Sequence, residues 1–223
     1  NYTNTLTLLG LEYENIGQSE LAKEAYQRAL LEDSKILGAR YLLADLLLDE
    51  GDSQNAIIIL DEGIRQLDRQ QNSHDLNPPP PPNPNQGNRR NPNPEEIRQL
   101  ETQFRYLLLV TRGRAFLQLS SAPLALQDLN SAQDLIEDNE RLFITKEDLE
   151  SEADSNLEGM MNTMEFYYYY ALANEARQRE ELDAGNDRAA ELYGPIALDA
   201  WQGVILLSQQ GNDYQARLWS LEA

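Results

Sequence analysis

The chain has 223 residues, a net charge of −20 and no cysteine, and 41% of its residues are apolar. The charge argues against nucleic acid and anionic membrane surfaces as partners, since both select basic patches. The missing cysteine excludes disulfides, thiolate nucleophiles and zinc–thiolate sites. No run of about 18 apolar residues offers a spanning helix, so membrane insertion is not expected. The chain opens on Asn1 rather than Met, which predicts that residues upstream were removed and leaves cytoplasm and periplasm both compatible.

Residues 3–16 contain no breaker and read as a helix carrying Leu6, Leu9, Leu11, Tyr13 and Ile16, closed by Gly17. A second helix over 20–32 places Leu21, Ala25, Tyr26, Ala29 and Leu30 on one stripe. The pair recurs at 37–50 and 54–69, where Leu42, Leu43, Leu46 and Leu47 face Ile57, Ile58, Leu60 and Ile64. Composition then changes. Prolines and asparagines fill 72–94, which predicts an extended or disordered insertion, because proline fixes φ and removes a donor. An inserted loop is the favoured reading, and a Pro-rich ligand for an aromatic-lined groove is the alternative. Pro94-Glu95-Glu96 opens a long helix to about 119, with Ile97, Leu100, Phe104, Leu108, Thr111 and Ala115 on one face. Its partner spans 122–137 and carries Leu126, Leu129, Ala132 and Leu135.

Between 134 and 165 eleven acids face two cations, so this stretch alone carries −9. A helix beginning near 157–160 continues through Tyr167–Tyr170 to about 182. Four consecutive tyrosines point all round a helix, so some must be buried and some exposed. Residues 187–223 predict two or three helices, with a break at Gly194-Pro195 and a stripe of Trp201, Val204, Ile205 and Leu207.

A short pattern recurs through these elements. A turn former leads polar residues and then Ala five positions on: Gly17 to Ala22, Gly51 to Ala56, Ser120 to Ala125, Gly185 to Ala190 and Gly211 to Ala216. The first two copies lie 34 residues apart. Around the first, Gly10, Tyr13, Ala22, Tyr26 and Ala29 alternate small and aromatic residues, and Gly113, Phe116, Ala125, Leu129 and Ala132 repeat the order. These positions resemble the tetratricopeptide repeat (TPR) family, whose unit is two helices in 34 residues. Around the second copy Ala44, Leu47, Leu60 and Gly63 depart from the family pattern, and Ser34 and Asp68 stand where a proline often closes the repeat. The resemblance covers 3–70 and 106–139 and is loose from 160 onward, with only 26 residues between Ala190 and Ala216. The Asn/Pro-rich insertion and the preference for Arg over Lys resemble bacterial, among them cyanobacterial, members.

The resemblance implies an all-α fold, a right-handed superhelix of antiparallel helix pairs interrupted by the Pro/Asn-rich loop. The expected segments are two repeats over 1–71, the loop over 72–94, a third repeat over 95–139, an acidic connection over 140–158 and irregular helical repeats over 159–223. It further implies a protein-interaction scaffold or adaptor that takes a peptide or helix in a concave groove lined by first helices. Projected onto this sequence, the groove holds Thr7, Leu11, Glu14 and Asn15, then Tyr41, Asp45, Leu48 and Asp49, then Val110, Arg114, Leu117 and Gln118, and last Trp201 and Ile205. Its first half is acidic, which suits a partner with apolar anchors beside Lys or Arg. The carboxylate clamp of chaperone-binding members is not expected, since Thr7 and Leu11 occupy the places of its Lys and Asn. An uncapped final pair would expose apolar surface and provide a route to self-association.

Two chemical readings stand beside this one. Asp154, Asn156, Glu158, Asn162 and Glu165, with Gly159 at the turn, fit the spacing of a calcium loop and would make a calcium-responsive adaptor. The loop has no second copy to pair with, and the favoured expectation is no metal and no cofactor. Enzymatic activity is not expected: His74 is the single histidine, and no nucleophile–base arrangement or phosphate-cradling loop accompanies it.

Overall fold

The computed structural model describes residues 2–76, 93–144 and 161–210. Among them are eight α-helices: α1 Tyr2–Asn15, α2 Ser19–Glu32, α3 Leu37–Asp49, α4 Ser53–Leu76, α5 Pro94–Gln118, α6 Ala122–Asp138, α7 Met164–Asp183 and α8 Asp187–Gln210. A 3₁₀ turn at Glu140–Leu142 leads into β1 (Phe143–Ile144), which pairs in parallel with β2 (Met161–Asn162). The chain divides into two compact units, Asn1–Thr111 and Arg112–Ala223, the division falling inside α5.

Helices form in pairs because one turn is built four times. Gly17, Gly51, Ser120 and Gly185 all have positive φ, between 56° and 81°. At each, two backbone bonds close the first helix. Gly17 N–H donates to the Glu14 carbonyl at 2.9 Å and Gln18 N–H to the Tyr13 carbonyl at 2.8 Å. The same two bonds recur from Gly51 and Asp52, Ser120 and Ser121, and Gly185 and Asn186. This double closure satisfies carbonyls that a helix end leaves open. The second helix then starts at once: Ala22, Ala56, Ala125 and Ala190 each donate to the carbonyl four residues back, and all four alanines are buried.

Behind each turn, one crossing sets the distance between the paired helices. A Cβ on Gly10 would stand 2.6 Å from Tyr26 Cδ1 and closer still to Cε1, and one on Gly113 would stand 3.0 Å from Leu129 Cγ. In the second pair Leu60 replaces the ring, and the room released admits the methyl of Ala44; both are fully buried. Gly63 stands where Ala29 does one repeat earlier, because Leu108 of α5 comes within 2.9 Å of where its Cβ would be.

In the first unit α1 packs on α2, α2 on α3 and α3 on α4, and α1 also touches α3. Leu6, Ala29 and Ala39 share one core cluster with Leu30 and Ile36, and Lys23 makes an ion pair with Glu50. In the second unit Arg112 of α5 grips Asp128 of α6 through two bonds of 2.7 Å. There α6 touches α7, where Tyr170 donates to Asn130 Oδ1 at 3.1 Å, and α7 packs along α8 around Met164, Val204 and Leu207.

Several expectations are corrected. The helix expected to stop at 69 continues to Leu76, so 72–76 is helix rather than insertion; residues 77–92 lie outside the described residues. The break at Gly194-Pro195 is absent, and α8 runs through Pro195 from Asp187 to Gln210. The smallness of Gly194 serves packing, since its Cβ would stand 2.9 Å from Gln178 Nε2. The tyrosine helix begins later than expected, at Met164, and Tyr169 is buried while Tyr167, Tyr168 and Tyr170 are half-buried. Leu21, Ile58, Leu100 and Ile205, assigned to packed stripes, are exposed. The short parallel bridge was not foreseen. Thr163, fully buried, donates from Oγ1 to the Ile144 carbonyl and fastens that bridge.

Candidate protein-binding face

In the first unit the two first helices, α1 and α3, are neighbours. Their candidate residues recur every three or four positions, so each set shares one side of its helix. On α1, Thr7, Leu11 and Glu14 are half-buried and Asn15 is exposed. Thr7 folds its hydroxyl back onto the Thr3 carbonyl at 3.1 Å, which removes it as a donor to a ligand. Glu14 accepts a 2.8 Å bond from the Tyr26 hydroxyl. Tyr26 is fully buried, and burial together with the Glu14 and Asp45 carboxylates raises its phenol pKa above the usual range. Glu14 and Asp45 thus act on one phenol from two helices. On α3, Tyr41 and Asp45 are half-buried and Asp49 is exposed.

Leu48 and Val110 do not belong to an accessible groove. Leu48 is 1% exposed and Val110 is 2% exposed, so both are core residues. Each follows its face by one helical step inward, where the apolar side chain gains more by burial than by waiting for a ligand. In the second unit Arg114 and Leu117 are half-buried and Gln118 is exposed, all near the end of α5. Trp201 does not line a first helix at all. It lies on α8, the second helix of its pair, donates from Nε1 to Glu175 at 2.8 Å, and packs edge-on against Tyr168 at 5.6 Å. Ile205, beside it on α8, is 41% exposed.

Of the calcium set, Asp154, Asn156 and Glu158 lie outside the described residues, Asn162 is in β2, and Glu165 is in the first turn of α7. His74 falls in the last turns of α4.

The spacing of the first pair recurs in the last. Gln178, Glu181, Ala190, Gly194 and Ala197 keep the spacing of Gly10, Tyr13, Ala22, Tyr26 and Ala29. The size order is reversed at the crossing: Gln178 is large where Gly10 is small, and Gly194 is small where Tyr26 is large. Glu181, at the aromatic position, is buried with its carboxylate held by Arg177 and Asn186. The signal that could have found this pair was the complementary change at 178 and 194.

With four pairs built on one turn and one crossing, the fold is an all-α, TPR-like array of adjacent helix pairs. A tetratricopeptide repeat family model matches residues 3–35, the stretch that forms α1, α2 and the turn between them. No curated protein and no solved structure matches the chain. Residues 3–35 therefore carry a tetratricopeptide repeat. Such a repeat supports a protein–protein interaction module in general. Among the described residues no helix is long and apolar enough to cross a membrane.

Proposed function

We propose that this protein is a scaffold or adaptor that binds a partner peptide or helix on the α1–α3 face, with apolar anchors seated beside Leu11 and Tyr41. Lys or Arg of the partner lies against Glu14, Asp45 and Asp49. The observation that carries the reading is the adjacency of α1 and α3, with a half-buried leucine and tyrosine among carboxylates on it. Aromatic residues in such positions supply most of the energy of peptide recognition, while surrounding charges set association rate and salt response.

The test is a peptide array of Leu- and Phe-anchored segments, each made with basic and with acidic flanks, probed with the full chain. Basic-flanked peptides should bind and acidic-flanked ones should not. For a bound peptide, Tyr41→Ala should cost about 2 kcal/mol or more. Asp49→Lys should slow association measured by surface plasmon resonance. Equal binding of both flank types, or wild-type binding by both variants, rules out this face.

A further inference from the structure

The spacing that sets Ala197 of α8 where Ala29 stands in α2 sets Leu198 where Leu30 stands, and where Ile64 stands in α4. Leu30 and Ile64 are half-buried. Leu30 packs against a cluster that includes Ala39 of the following helix, α3. Leu198 is 63% exposed, and among the described residues no further helix follows α8 to cover it. Leu192, Ile196 and Ile205 are exposed on the same helix. Met164 of α7 covers the side that carries Val204 and Leu207, and the exposed set lies round the rest of the helix.

Large apolar side chains left together in water mark a contact surface. Charge says which contact. From Leu192 to Ser208 only Asp199 is charged, although 25% of the chain's residues are. The exposed side of α2, by contrast, carries Glu20, Glu24, Arg28 and Glu32. A partner with Lys or Arg flanks gains little from a face with a single carboxylate. Two copies of this chain repel, at −20 each, and meet most readily where neither presents much charge. The centres of interfaces between identical chains are likewise apolar and poor in charge. The chain's own residues 211–223, which lie outside the described residues, fall short. Contacts straddle the described turns evenly: Gly10 meets Tyr26 across Gly17, Gly113 meets Leu129 across Ser120, and Gln178 meets Gly194 across Gly185. Folded back in the same way from Gly211, residue 223 comes level with Trp201 and leaves Leu192, Ile196 and Leu198 uncovered.

We propose that this outward side of α8, with Leu198 and Ile205 at its centre, is a self-association surface that takes the same surface of a second copy of this chain. A contact of one patch with itself is closed by a twofold axis and stops at two copies. The surface lies on residues other than those proposed to take the partner segment and does not depend on that reading.

The test is sedimentation equilibrium of the full chain at low and at raised sodium chloride. A monomer–dimer equilibrium is expected. It should tighten with salt, because screening weakens the repulsion between two chains of −20. Capture of a basic-flanked peptide by the α1–α3 face changes with salt in the opposite sense, so the two readings fail separately. Leu198→Asp, at an exposed position that leaves the core intact, should weaken dimerisation by about tenfold or more. Leu31→Asp adds the same charge at an exposed position on α2 and should leave dimerisation unchanged. A chain that stays monomeric at both salt concentrations overturns the proposal. So does a dimer that Leu198→Asp leaves intact, or that both variants weaken alike. Binding of an array peptide that Leu198→Asp weakens also overturns it, and gives this side of α8 to another protein.

Discussion

At Gly10 the absence of a side chain decides how closely two helices approach. A methyl there would clash with Tyr26 Cε1 and with Cδ1 at 2.6 Å, and Tyr26 is fully buried, so the ring has no free direction of retreat. Gly10→Ala should therefore destabilise the protein by about 1–3 kcal/mol through overpacking, even though alanine is the better helix former. Urea unfolding of the two proteins measures this, and an unchanged midpoint would mean the crossing is softer than its geometry. Tyr26 also links stability to pH. Its phenol pKa is raised above 10.0 in the folded chain by burial, by its bond to Glu14 and by the Glu14 and Asp45 charges. The folded state therefore favours the neutral phenol. That contribution is complete below pH 10 and is lost as pH rises from the unfolded pKa through the folded one. Tyr26→Phe should cost about 1 kcal/mol at neutral pH for the lost hydrogen bond. It should also flatten the fall in melting temperature above pH 10 relative to wild type; parallel curves would exclude Tyr26 as the titrating group.

At the scale of elements, the joint between α5 and α6 depends on a charge pair rather than on apolar area alone. Arg112 meets Asp128 through two 2.7 Å bonds, and the Asp128 side chain is only 6% exposed. Arg112 also lies 5.9 Å over the Phe116 ring. Breaking such a pair from one side strands the other charge, so Asp128→Ala should cost about 3–5 kcal/mol. Replacing both partners by apolar residues should recover much of that loss. A double-mutant cycle measured by chemical denaturation checks both statements, and additive losses would show that the pair is not coupled. The turns behave differently. Ser120 takes a conformation that glycine holds in the other three copies, which shows that the two closing hydrogen bonds, not the residue type alone, define the turn.

For the whole molecule, a net charge of −20 acts on every encounter. Association with a basic partner segment should slow as salt rises, since screening shortens the reach of the field to about 8 Å at physiological ionic strength. The comparison is the association rate of one array-selected basic peptide at two salt concentrations. A rate indifferent to salt would argue for recognition by apolar anchors alone. Local exceptions matter against this background, and one is the pairing of both Arg65 and Arg69 with Glu62.

The helix pairs and their turns were legible from the residues. A turn former followed by alanine at a fixed distance, with small and large residues alternating around it, encodes a helix end, a helix start and a crossing in one short local pattern. Local backbone physics suffices for that, which is why the same hydrogen bonds appear at Gly17, Gly51, Ser120 and Gly185. Which side chains remain accessible was not legible. Leu48 and Tyr41 share a face by spacing, yet one is core and the other half-buried, because accessibility depends on what packs against the helix from elsewhere in the chain. Trp201 was misplaced for the same reason: its position follows from α7, through Tyr168 and Glu175. The exchange of sizes between Gln178 and Gly194 hid a fourth repeat from the consensus, and only the contact between them shows that the crossing is kept. Arg40 reads in sequence as one more surface cation. Tertiary packing alone buries its Nε and lays its stem against Gly63 of α4, since no local pattern specifies how close α3 and α4 come.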